Sequence, residues 1–375
     1  MAPVPAPLLC PACLSLVVPS DDLSQCAACG LAAAVRGGVV CFKGADNLAY
    51  VEVVDFLDAD DLARLCAAFN RGDAAAGRAF VQRCYPRFYK YLFEEGRADW
   101  RFFVPLGPEA RVLDIGSGWG GLAIELAREV GHVQCMDASL SKLEFTIARA
   151  RAEGISNVSA VNHDFTQGMP FPDSSFDLAV LNGVLEWAGA FRDDAPPEVC
   201  QLRLLREARR VLRPGGHLYV GIENRCGYWY AFGREDEHAF TPFTTLLPRR
   251  LADIVTRVVR RRPYRTYTYG ASGLRQLLHR AGFGAALFAY SAPNYRRFRF
   301  LIELDDPRPL AHYYRALERE LPTLTPRTLL RALLKDRSLV LLTLFAPLAR
   351  LFVRFAGARA FMRNLVPSFS VIASR

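Results

Sequence analysis

The sequence predicts an α/β protein built on a doubly wound, Rossmann-like parallel sheet, and two observations carry this prediction. The short apolar run 111–115 ends in four glycines within six residues (116–121), and the helical pattern 122–130 follows at once. Strand character at 132–136, 157–162, 176–183 and 217–222 then alternates with helical character at 139–153 and 202–212, as a doubly wound sheet requires, and the pattern continues to about residue 290. A turn is expected over 213–216, and a helical pattern covers 74–93. A strand, a tight glycine turn and a helix start bring backbone N–H groups close to a bound ligand.

Composition and charge narrow the class of protein further. With 51% hydrophobic and 23% charged residues over 375 positions, the chain is globular, either one large domain with additions or two domains. The first nine residues lack a basic side chain and a long apolar run, so we expect no signal peptide, a cytoplasmic location and reduced or metal-bound cysteines. From Leu321 onward the chain has nine basic residues and one acidic residue, Asp336. This segment therefore supplies +8 of the net charge of +9. The positive charge is therefore local and does not argue for nucleic acid across the whole protein.

The acidic residue before the glycine turn bears on which cofactor is bound. Asp114 lies inside the strand, two residues before Gly116, where it would repel a pyrophosphate but suits a ligand with an ammonium group. The glycine spacing alone also fits a nicotinamide dehydrogenase, which would leave Asp114 unexplained. Val-Leu-Asp-Ile-Gly-Ser-Gly-Trp-Gly over 112–120 resembles the first motif of class I S-adenosylmethionine-dependent methyltransferases.

Further cofactor contacts follow the next strands. Asp137 ends the second strand, about 20 residues past the glycines, where a carboxylate can hold ribose hydroxyls. The family resemblance implies that Asp164 hydrogen-bonds the adenine amino group and that the backbone of Phe165 meets the ring. The predicted cofactor-binding residues are Asp114, Gly116, Ser117, Gly118, Gly120, Asp137, Ala138, Asp164, Phe165 and Asn182.

The acceptor of the methyl group is predicted from two regions. Asn182-Gly-Val-Leu replaces the Asn/Asp-Pro-Pro-aromatic loop of adenine and glutamine methyltransferases, which favours an oxygen or small-molecule acceptor. Residues 223–282 are rich in Tyr, Trp and Arg and are expected to cap the acceptor site. His238 is the first candidate general base and Glu223 the second, although His238 could equally be an exposed loop residue.

Three functions compete at this point. The segments 222–225 and 236–238 resemble a subgroup of bacterial methyltransferases associated with surface-polysaccharide and other glycan assembly. We therefore expect methyl transfer to an oxygen of a glycan, nucleotide-sugar or other small-molecule or lipid-linked acceptor. The alternatives are a ribosomal or transfer RNA methyltransferase and a non-catalytic zinc-ribbon adaptor with a relic cofactor fold.

The N-terminal cysteines predict a structural zinc site. Cys10 and Cys13 form one Cys-x-x-Cys pair, and Cys26 and Cys29 form a second. Four thiolates at this spacing can surround Zn²⁺ tetrahedrally, with Cys41 nearby as a spare thiol or alternative ligand. Such ribbons resemble those that precede some bacterial methyltransferase domains, including certain ribosomal RNA guanine methyltransferases.

The remaining segments complete the predicted organisation. Arg327, Arg331 and Lys335 recur every fourth residue, and the apolar run 339–349 is too short to span a bilayer. Residues 321–363 are expected either to lie on the inner membrane face or to form a packed cap with solvated arginines. The final segment is expected to enter the sheet antiparallel and to complete seven strands. The predicted parts are a zinc-ribbon-like segment 1–45, a helical lead-in or lid 46–105, a core 106–290 with the cap 223–282, a basic helical insertion 291–366 and a final strand 367–375.

Overall fold

The computed structural model describes residues 7–18, 23–42, 57–93, 96–190, 194–306, 308–320 and 337–375. The chain divides into two compact units. Unit 1 comprises residues 1–182, 203–219 and 374–375, and unit 2 comprises 183–202 and 220–373. The predicted basic positions Arg327, Arg331 and Lys335 lie outside the described residues.

Unit 1 is organised around four parallel strands in the order β8-β7-β6-β9. Each of these strands is rich in apolar residues, and β7 is buried along its whole length, as expected for a sheet covered on both faces. Helix α4 (Gly121–Leu126) follows β6, and α5 (Leu140–Ala152) follows β7. The four strands are β6 (Arg111–Ile115), β7 (His132–Asp137), β8 (Val158–Asn162) and β9 (Phe176–Asn182).

The predicted lid is a set of three helices, α1 (Ala59–Asn70), α2 (Ala74–Cys84) and α3 (Pro86–Phe93). The sequence predicted one helix over 74–93, but the chain breaks at Tyr85 because the following proline lacks an N–H and disfavours helical backbone before it. The helices pack on α5 through an aromatic core in which Phe69 and Phe145 lie 5.3 Å apart.

The N-terminal segment forms five short strands that extend the sheet of unit 1. Strand β5 pairs in parallel with β8, so that Val40 lies beside Val161. The cysteine-rich segment therefore continues the sheet of unit 1 beyond β8. The five strands are β1 (Leu8–Leu9), β2 (Leu16–Val18), β3 (Leu23–Cys26), β4 (Ala32–Arg36) and β5 (Val39–Cys41).

Three elements contribute residues to both units: helix α6 (Pro197–Val211), strand β10 (Leu212–Glu223) and the last strand (Ser368–Ser374), whose final residue belongs to unit 1. The sequence predicted a turn over 213–216 and a strand from His217. Instead the strand begins at Leu212, because Gly215 adopts a φ of +77° and absorbs the bend inside the strand.

Unit 2 combines helices with an antiparallel group of strands in the order β13-β11-β12. Strand β13 (Ser368–Ser374) runs antiparallel to β11 (Ala286–Asn294), with Ala373 beside Ala286. Strand β12 (Arg297–Glu303) lies within the segment that was expected to be helical. The helices are α7 (Tyr228–Ala231), α8 (Arg249–Arg260), α9 (Ala271–Arg280), α10 (Leu310–Glu320), α11 (Arg337–Phe352) and α12 (Ala356–Met362).

The described residues form 13 strands, where the sequence predicted seven. Six strands are additional: β1 to β5 from the cysteine-rich segment and β12, the hairpin partner of β11. Short strands of this kind carry little periodicity, so the sequence did not reveal them. Within the described ranges, none of the helices is long and apolar enough to cross a bilayer.

Candidate functional site

The glycine turn after β6 opens onto a small polar cavity in unit 1. The cavity is lined by Asp114 near the end of β6, by the turn residues Gly116 and Ser117, and by Asn182 at the end of β9. The other lining residues, which sequence reasoning missed, are Tyr91, Arg97, Trp119, Gly121 and Leu122. The carboxyl ends of neighbouring parallel strands meet here, which is where such sheets bind ligands.

Three buried polar atoms of residues that line this cavity have no hydrogen-bond partner among the residues that the structure describes. They are Asp114 Oδ2, Ser117 Oγ and Asn182 Oδ1. A buried polar atom without a partner costs about 1–3 kcal/mol, so three of them in one cavity indicate a place for a polar ligand. A ligand with ammonium and hydroxyl groups would satisfy all three.

The protonation of Asp114 depends on its surroundings. Burial and, to a smaller extent, the charge of Asp137 raise the pKa of Asp114 to about 7, a value that already includes the opposing effect of Arg97. A cationic ligand next to this carboxyl would restore its charged form.

The cavity is narrow, with a volume of only about 20 Å³, which is room for about one water molecule. Arg97 lies 4.4 Å from the centre of the Tyr91 ring, and its guanidinium donates to the Tyr91 carbonyl at 2.7 Å. Gly121 has no side chain, and Arg97 Nη1 lies in the space beside it. A Cβ at Gly121 would be only 2.9 Å from this nitrogen. A nucleoside-sized ligand therefore requires the Tyr91 and Arg97 side chains to move aside.

The remaining predicted cofactor residues surround the cavity without lining it. Both carboxylate oxygens of Asp137 accept backbone hydrogen bonds, from Gly118 N and Ser139 N at 2.8 Å each. Asp137 thus fixes the glycine turn, and its predicted ribose contact stays a prediction. Gly120 adopts a φ of +70° against Thr146. The other residues predicted to contact the cofactor, Ala138, Asp164 and Phe165, lie in the segments that follow β7 and β8.

The candidate general base lies in a separate, acidic cluster in unit 2. His238 Nε2 lies 3.3 Å from Glu186 Oε1 and 3.9 Å from Glu223 Oε2, and Nδ1 lies 3.4 Å from Asp236 Oδ1. Only 4% of the His238 side chain is exposed, so the alternative of an exposed loop residue is not what the structure shows.

This environment determines the charge on the imidazole. Burial alone would lower the pKa of His238, but hydrogen bonding to Asp236 and Glu186 and the charge of Glu223 raise the pKa well above its ordinary value. The same contact with His238 overcomes the effect of burial on Asp236 and lowers the pKa of that carboxyl. Carboxylate oxygens thus lie beside both ring nitrogens of His238, and its role as general base stays a prediction.

Sequence reasoning found His238 and Glu223 but missed Glu186. Glu186 lies in the single helical turn Leu185–Trp187, is fully buried and was embedded in an apolar sequence that gave no periodic signal. Glu223 Oε1 accepts hydrogen bonds from Tyr295 Oη at 3.0 Å and from Arg296 at 2.7 Å. Its other oxygen, Oε2, has no hydrogen-bond partner in the described part of the chain.

A family comparison identifies the central part of the chain. Residues 112–216 match the family model described as a methyltransferase domain. This segment is similar to methyltransferase domains. It begins on the strand that carries Asp114 and includes all the predicted cofactor-binding residues.

Curated relatives resemble the methyltransferase domain over a similar length. A glycine/sarcosine/dimethylglycine N-methyltransferase from Actinopolyspora halophila is 32% identical over 114 residues, which are 30% of this chain and 18% of that protein. A ubiquinone/menaquinone biosynthesis C-methyltransferase from Vibrio vulnificus is 36% identical over 117 residues, 30% of this chain and 41% of that protein. The chain thus spans less than half the length of these relatives.

Solved structures are also similar. One is phosphoethanolamine N-methyltransferase 2 from Haemonchus contortus, in complex with phosphomonomethylethanolamine and S-adenosylhomocysteine. It is 16% identical with a TM-score of 0.42, and the similarity covers 79% of this chain and 59% of that one.

The cysteine-rich segment before the methyltransferase domain brings its four predicted ligands together. The sulfur atoms of Cys10, Cys13, Cys26 and Cys29 all lie within 4.8 Å of one another. The closest pairs join the two Cys-x-x-Cys turns, at 3.5 Å for Cys10–Cys29 and 3.4 Å for Cys13–Cys26. Cys41 lies buried in β5 and is not a member of this cluster.

Proposed function

We propose that this protein transfers a methyl group from S-adenosylmethionine to an oxygen of a glycan, nucleotide-sugar or other small-molecule or lipid-linked acceptor. The observation that carries the cofactor part is the set of buried, unpartnered atoms Asp114 Oδ2, Ser117 Oγ and Asn182 Oδ1 in one cavity of a methyltransferase domain. The donor set fits an amino-acid ammonium and the hydroxyls of a nucleoside.

The residues of the cavity have separate tasks in this proposal. S-adenosylmethionine, when bound, supplies an electrophilic methyl carbon on a sulfonium. Asp114 would hold its ammonium group, and Ser117 and Asn182 would hold further polar groups, so that the cofactor is fixed before reaction. Tyr91 and Arg97 would close over the cofactor and exclude water.

Removal of the acceptor's proton is the second requirement. The sequence proposes His238 or Glu223 for this step, and the geometry adds Glu186. Glu186 is a further candidate proton acceptor, because it is fully buried beside His238, with 3.3 Å between Glu186 Oε1 and His238 Nε2. The oxygen acceptor is supported by the Asn182-Gly-Val-Leu sequence after β9, which lacks the proline pair of amino methyltransferases.

The acceptor can be identified with methyl-labelled S-adenosylmethionine and fractionated cell extract. We expect label in a lipid or saccharide fraction with the wild-type protein and with Asp305→Asn, which removes an exposed pair with Arg275. Asp114→Ala should abolish labelling. Label in RNA would establish the nucleic-acid alternative, and failure of the folded chain to bind S-adenosylmethionine at all would favour the adaptor.

We further propose that the four-cysteine cluster holds a structural Zn²⁺. Sulfur ligands of a tetrahedral zinc ion lie about 3.8 Å apart, since each Zn–S bond is about 2.3 Å long. The sulfur separations in the cluster fit this value once the ion draws the thiolates into place. Elemental analysis should find that Cys26→Ser holds one zinc fewer per chain than the wild type, whereas Cys66→Ser, at an unrelated thiol, holds as much as the wild type. Equal zinc content in Cys26→Ser and the wild type would contradict the assignment.

A further inference from the structure

The acidic cluster of unit 2 has the composition of a metal site. Glu186, Glu223 and His238 each offer one ligand atom, and these atoms lie within 4.8 Å of one another. The three residues come from separate elements: the turn Leu185–Trp187, the end of β10 and the loop after α7. Bringing them to one point is a product of the fold and not of local sequence.

The carboxylate oxygens in this cluster are buried without sufficient donors. Glu186 is 0% exposed; its Oε1 lies 3.3 Å from His238 Nε2, and its Oε2 has no hydrogen-bond partner in the described part of the chain. Glu223 uses only Oε1, for Tyr295 and Arg296, and leaves Oε2 without a hydrogen-bond partner among these residues. Buried carboxylates are otherwise paired or bound to a metal, because the cost of leaving them alone is several kcal/mol.

The histidine is held as a metal-binding histidine usually is. Asp236 Oδ1 lies 3.4 Å from His238 Nδ1 and is itself fixed by the backbone N–H groups of His238 and Ala239. A carboxylate on one ring nitrogen presents the other nitrogen, Nε2, to an ion. Nε2 is the atom that faces Glu186 and Glu223.

Formal charges point the same way. The carboxylates of Glu186, Glu223 and Asp236 carry −3, and the guanidinium of Arg296, 2.7 Å from Glu223, contributes +1. With a neutral imidazole the group therefore carries −2, which a divalent cation would cancel.

We propose that Glu186, Glu223 and His238 bind a divalent transition-metal ion, such as Mn²⁺ or Zn²⁺. Two carboxylate oxygens and one imidazole nitrogen form a mixed O/N set suited to these ions. Ligand bonds of about 2.0–2.2 Å place neighbouring ligand atoms roughly 3–3.6 Å apart, and the observed 3.3 and 3.9 Å need only small shifts. Three protein ligands leave coordination positions for a hydroxyl oxygen. The use of this position to acidify an acceptor hydroxyl rests on the proposed function, while the binding of the ion does not.

The test measures Mn²⁺ binding to the full chain after one equivalent of zinc has been added for the four thiolates, with no excess of zinc that could occupy the acidic cluster. Electron paramagnetic resonance titration should show one Mn²⁺ per chain, with nitrogen coupling from a histidine ligand. Glu186→Gln and His238→Gln should each weaken binding by at least about 100-fold, because the loss of a residue that only supports a metal ligand already costs about 10- to 100-fold. Glu237→Gln is the matched control, since Glu237 pairs with Tyr230 and Arg234 outside the cluster.

The outcomes separate this proposal from the proposed function, because no cofactor or acceptor is present in the titration. Failure of the folded wild-type chain to bind Mn²⁺ or added Zn²⁺ would overturn the proposal and leave a buried imidazolium between carboxylates. Equal binding by wild type and His238→Gln would overturn the ligand assignment. If Glu186→Gln does not fold, the histidine coupling in the wild-type spectrum still decides.

A different observation concerns helix α8 (Arg249–Arg260). Its residues Leu251, Ile254 and Val258 follow helical spacing and are exposed by 50%, 57% and 76%. Solvent-facing apolar residues in a stripe are uncommon and mark an interaction surface. Arginines flank the stripe. The exposed ones are Arg250 at the start of the helix, Arg260 at its end, and Arg261 and Arg262 just after it.

We infer that this face of α8 lies on an anionic lipid surface. Within α8 and the two residues after it, arginines number six and acidic residues one, Asp253, so the charge around the stripe is complementary to acidic headgroups. An apolar stripe edged by arginines is the pattern of a helix lying in the membrane interface. A lipid-linked acceptor would be presented at such a surface.

Vesicle sedimentation tests this inference. We expect the wild-type chain to bind phosphatidylcholine vesicles containing 30% phosphatidylglycerol at least about 10-fold better than pure phosphatidylcholine vesicles. Substitution of Leu251, Ile254 and Val258 by Ser should remove this binding, and Arg261→Gln with Arg262→Gln should weaken it and reduce its salt dependence. Binding unaffected by the apolar substitutions, or no binding by the wild type, would overturn the inference; the latter would favour an acidic protein partner. Because all five side chains are exposed, circular dichroism should show unchanged folding.

Discussion

At the scale of single residues, Asp114 determines how cofactor binding depends on pH. Its pKa of about 7 means that the carboxyl is largely neutral at pH 6 and charged at pH 8. An ammonium ligand pairs with the charged form of Asp114. Below pH 7 the carboxyl must release its proton when the ligand binds, whereas above pH 7 it is already charged. We expect the affinity for S-adenosylhomocysteine to rise from pH 6 to pH 8, as measured by calorimetry. Asp114→Asn should lose at least about 30-fold in affinity, or about 2 kcal/mol, together with the pH dependence.

The same residue affects stability in the opposite direction. A carboxyl whose pKa rises from 3.8 in the unfolded chain to about 7 in the folded one favours folding fully below pH 3.8. This contribution is lost as the pH rises to 7 and amounts to about 4 kcal/mol at most. Without cofactor, Asp114→Asn should therefore unfold at higher urea concentration than the wild type at pH 8. A variant less stable than the wild type at pH 8 would contradict the cause given for the shift.

At the residue level, the sequence placed some of the cavity residues together. Asp114, Ser117 and Asn182, which were predicted to bind the cofactor, line one cavity, because they lie at or near the carboxyl ends of neighbouring parallel strands that the apolar runs reveal. Their contact with a cofactor stays a prediction. Tyr91 and Arg97 were missed, since they come from the lid helix and the segment after it, and no local pattern relates them to β6. Glu186 was missed for the same reason.

At the scale of elements, two glycines of one turn should respond differently to alanine. Both have positive φ, +53° at Gly118 and +70° at Gly120, so each substitution costs about 1 kcal/mol of backbone strain. A Cβ at Gly120 would also lie 2.4 Å from Thr146 Cγ2 on helix α5, whereas a Cβ at Gly118 meets no described atom within 4 Å. Gly120→Ala should lower the free energy of unfolding by about 3 kcal/mol and Gly118→Ala by about 1 kcal/mol in urea titrations.

The difference between these two glycines can be checked further. Thr146→Ala shortens the side chain that the new Cβ meets, so Gly120→Ala combined with Thr146→Ala should recover part of the loss. Equal costs at Gly118 and Gly120 would show that backbone strain alone matters and that the contact with α5 does not.

Asn224 shows how an element is held by one side chain. Its amide donates to the carbonyls of Asn364 at 2.8 Å and Val366 at 2.6 Å, and its Oδ1 accepts from Cys226 N. Asn224→Ala should cost about 2–4 kcal/mol, because it leaves buried polar groups unpaired just before β13. Limited proteolysis should then cut near residues 363–367 faster than in the wild type. Asn224 therefore has a structural role. The sequence did not reveal this role, because the two carbonyls to which Asn224 donates lie about 140 residues away.

Strands that are long and apolar were predictable, and short ones were not. The strands near 111–115, 132–137, 158–162 and 176–182 follow buried apolar runs within one residue of the prediction. The prediction of a turn over 213–216 was wrong, because Gly215, which has a positive φ, lies inside strand β10. Strand β12 was missed since its basic and aromatic residues, Arg-Phe-Arg-Phe, suggested a basic surface segment.

At the scale of the whole molecule, the two proposed ligand sites belong to different compact units. Every residue that lines the cofactor cavity is in unit 1, and every residue of the proposed metal site is in unit 2. A ligand that binds only the folded state stabilises the residues around its site by RT ln(1 + [L]/Kd), which is about 2.7 kcal/mol at 100 times Kd. Since a compact unit has its own core, this stabilisation should appear first as slower local opening in the unit that binds.

Hydrogen exchange followed by mass spectrometry should therefore give two separate patterns. S-adenosylhomocysteine should slow exchange by up to about 100-fold in peptides over 111–137 and 176–182, while Mn²⁺ should do so over 183–190 and 220–240. Asp114→Asn should lose only the first pattern and His238→Gln only the second, which makes each variant the control for the other. Protection of 183–190 and 220–240 by S-adenosylhomocysteine in His238→Gln would show that cofactor binding orders the acidic cluster by itself. In that case the carboxylates would serve the acceptor directly, and a resident metal would not be needed to explain their burial.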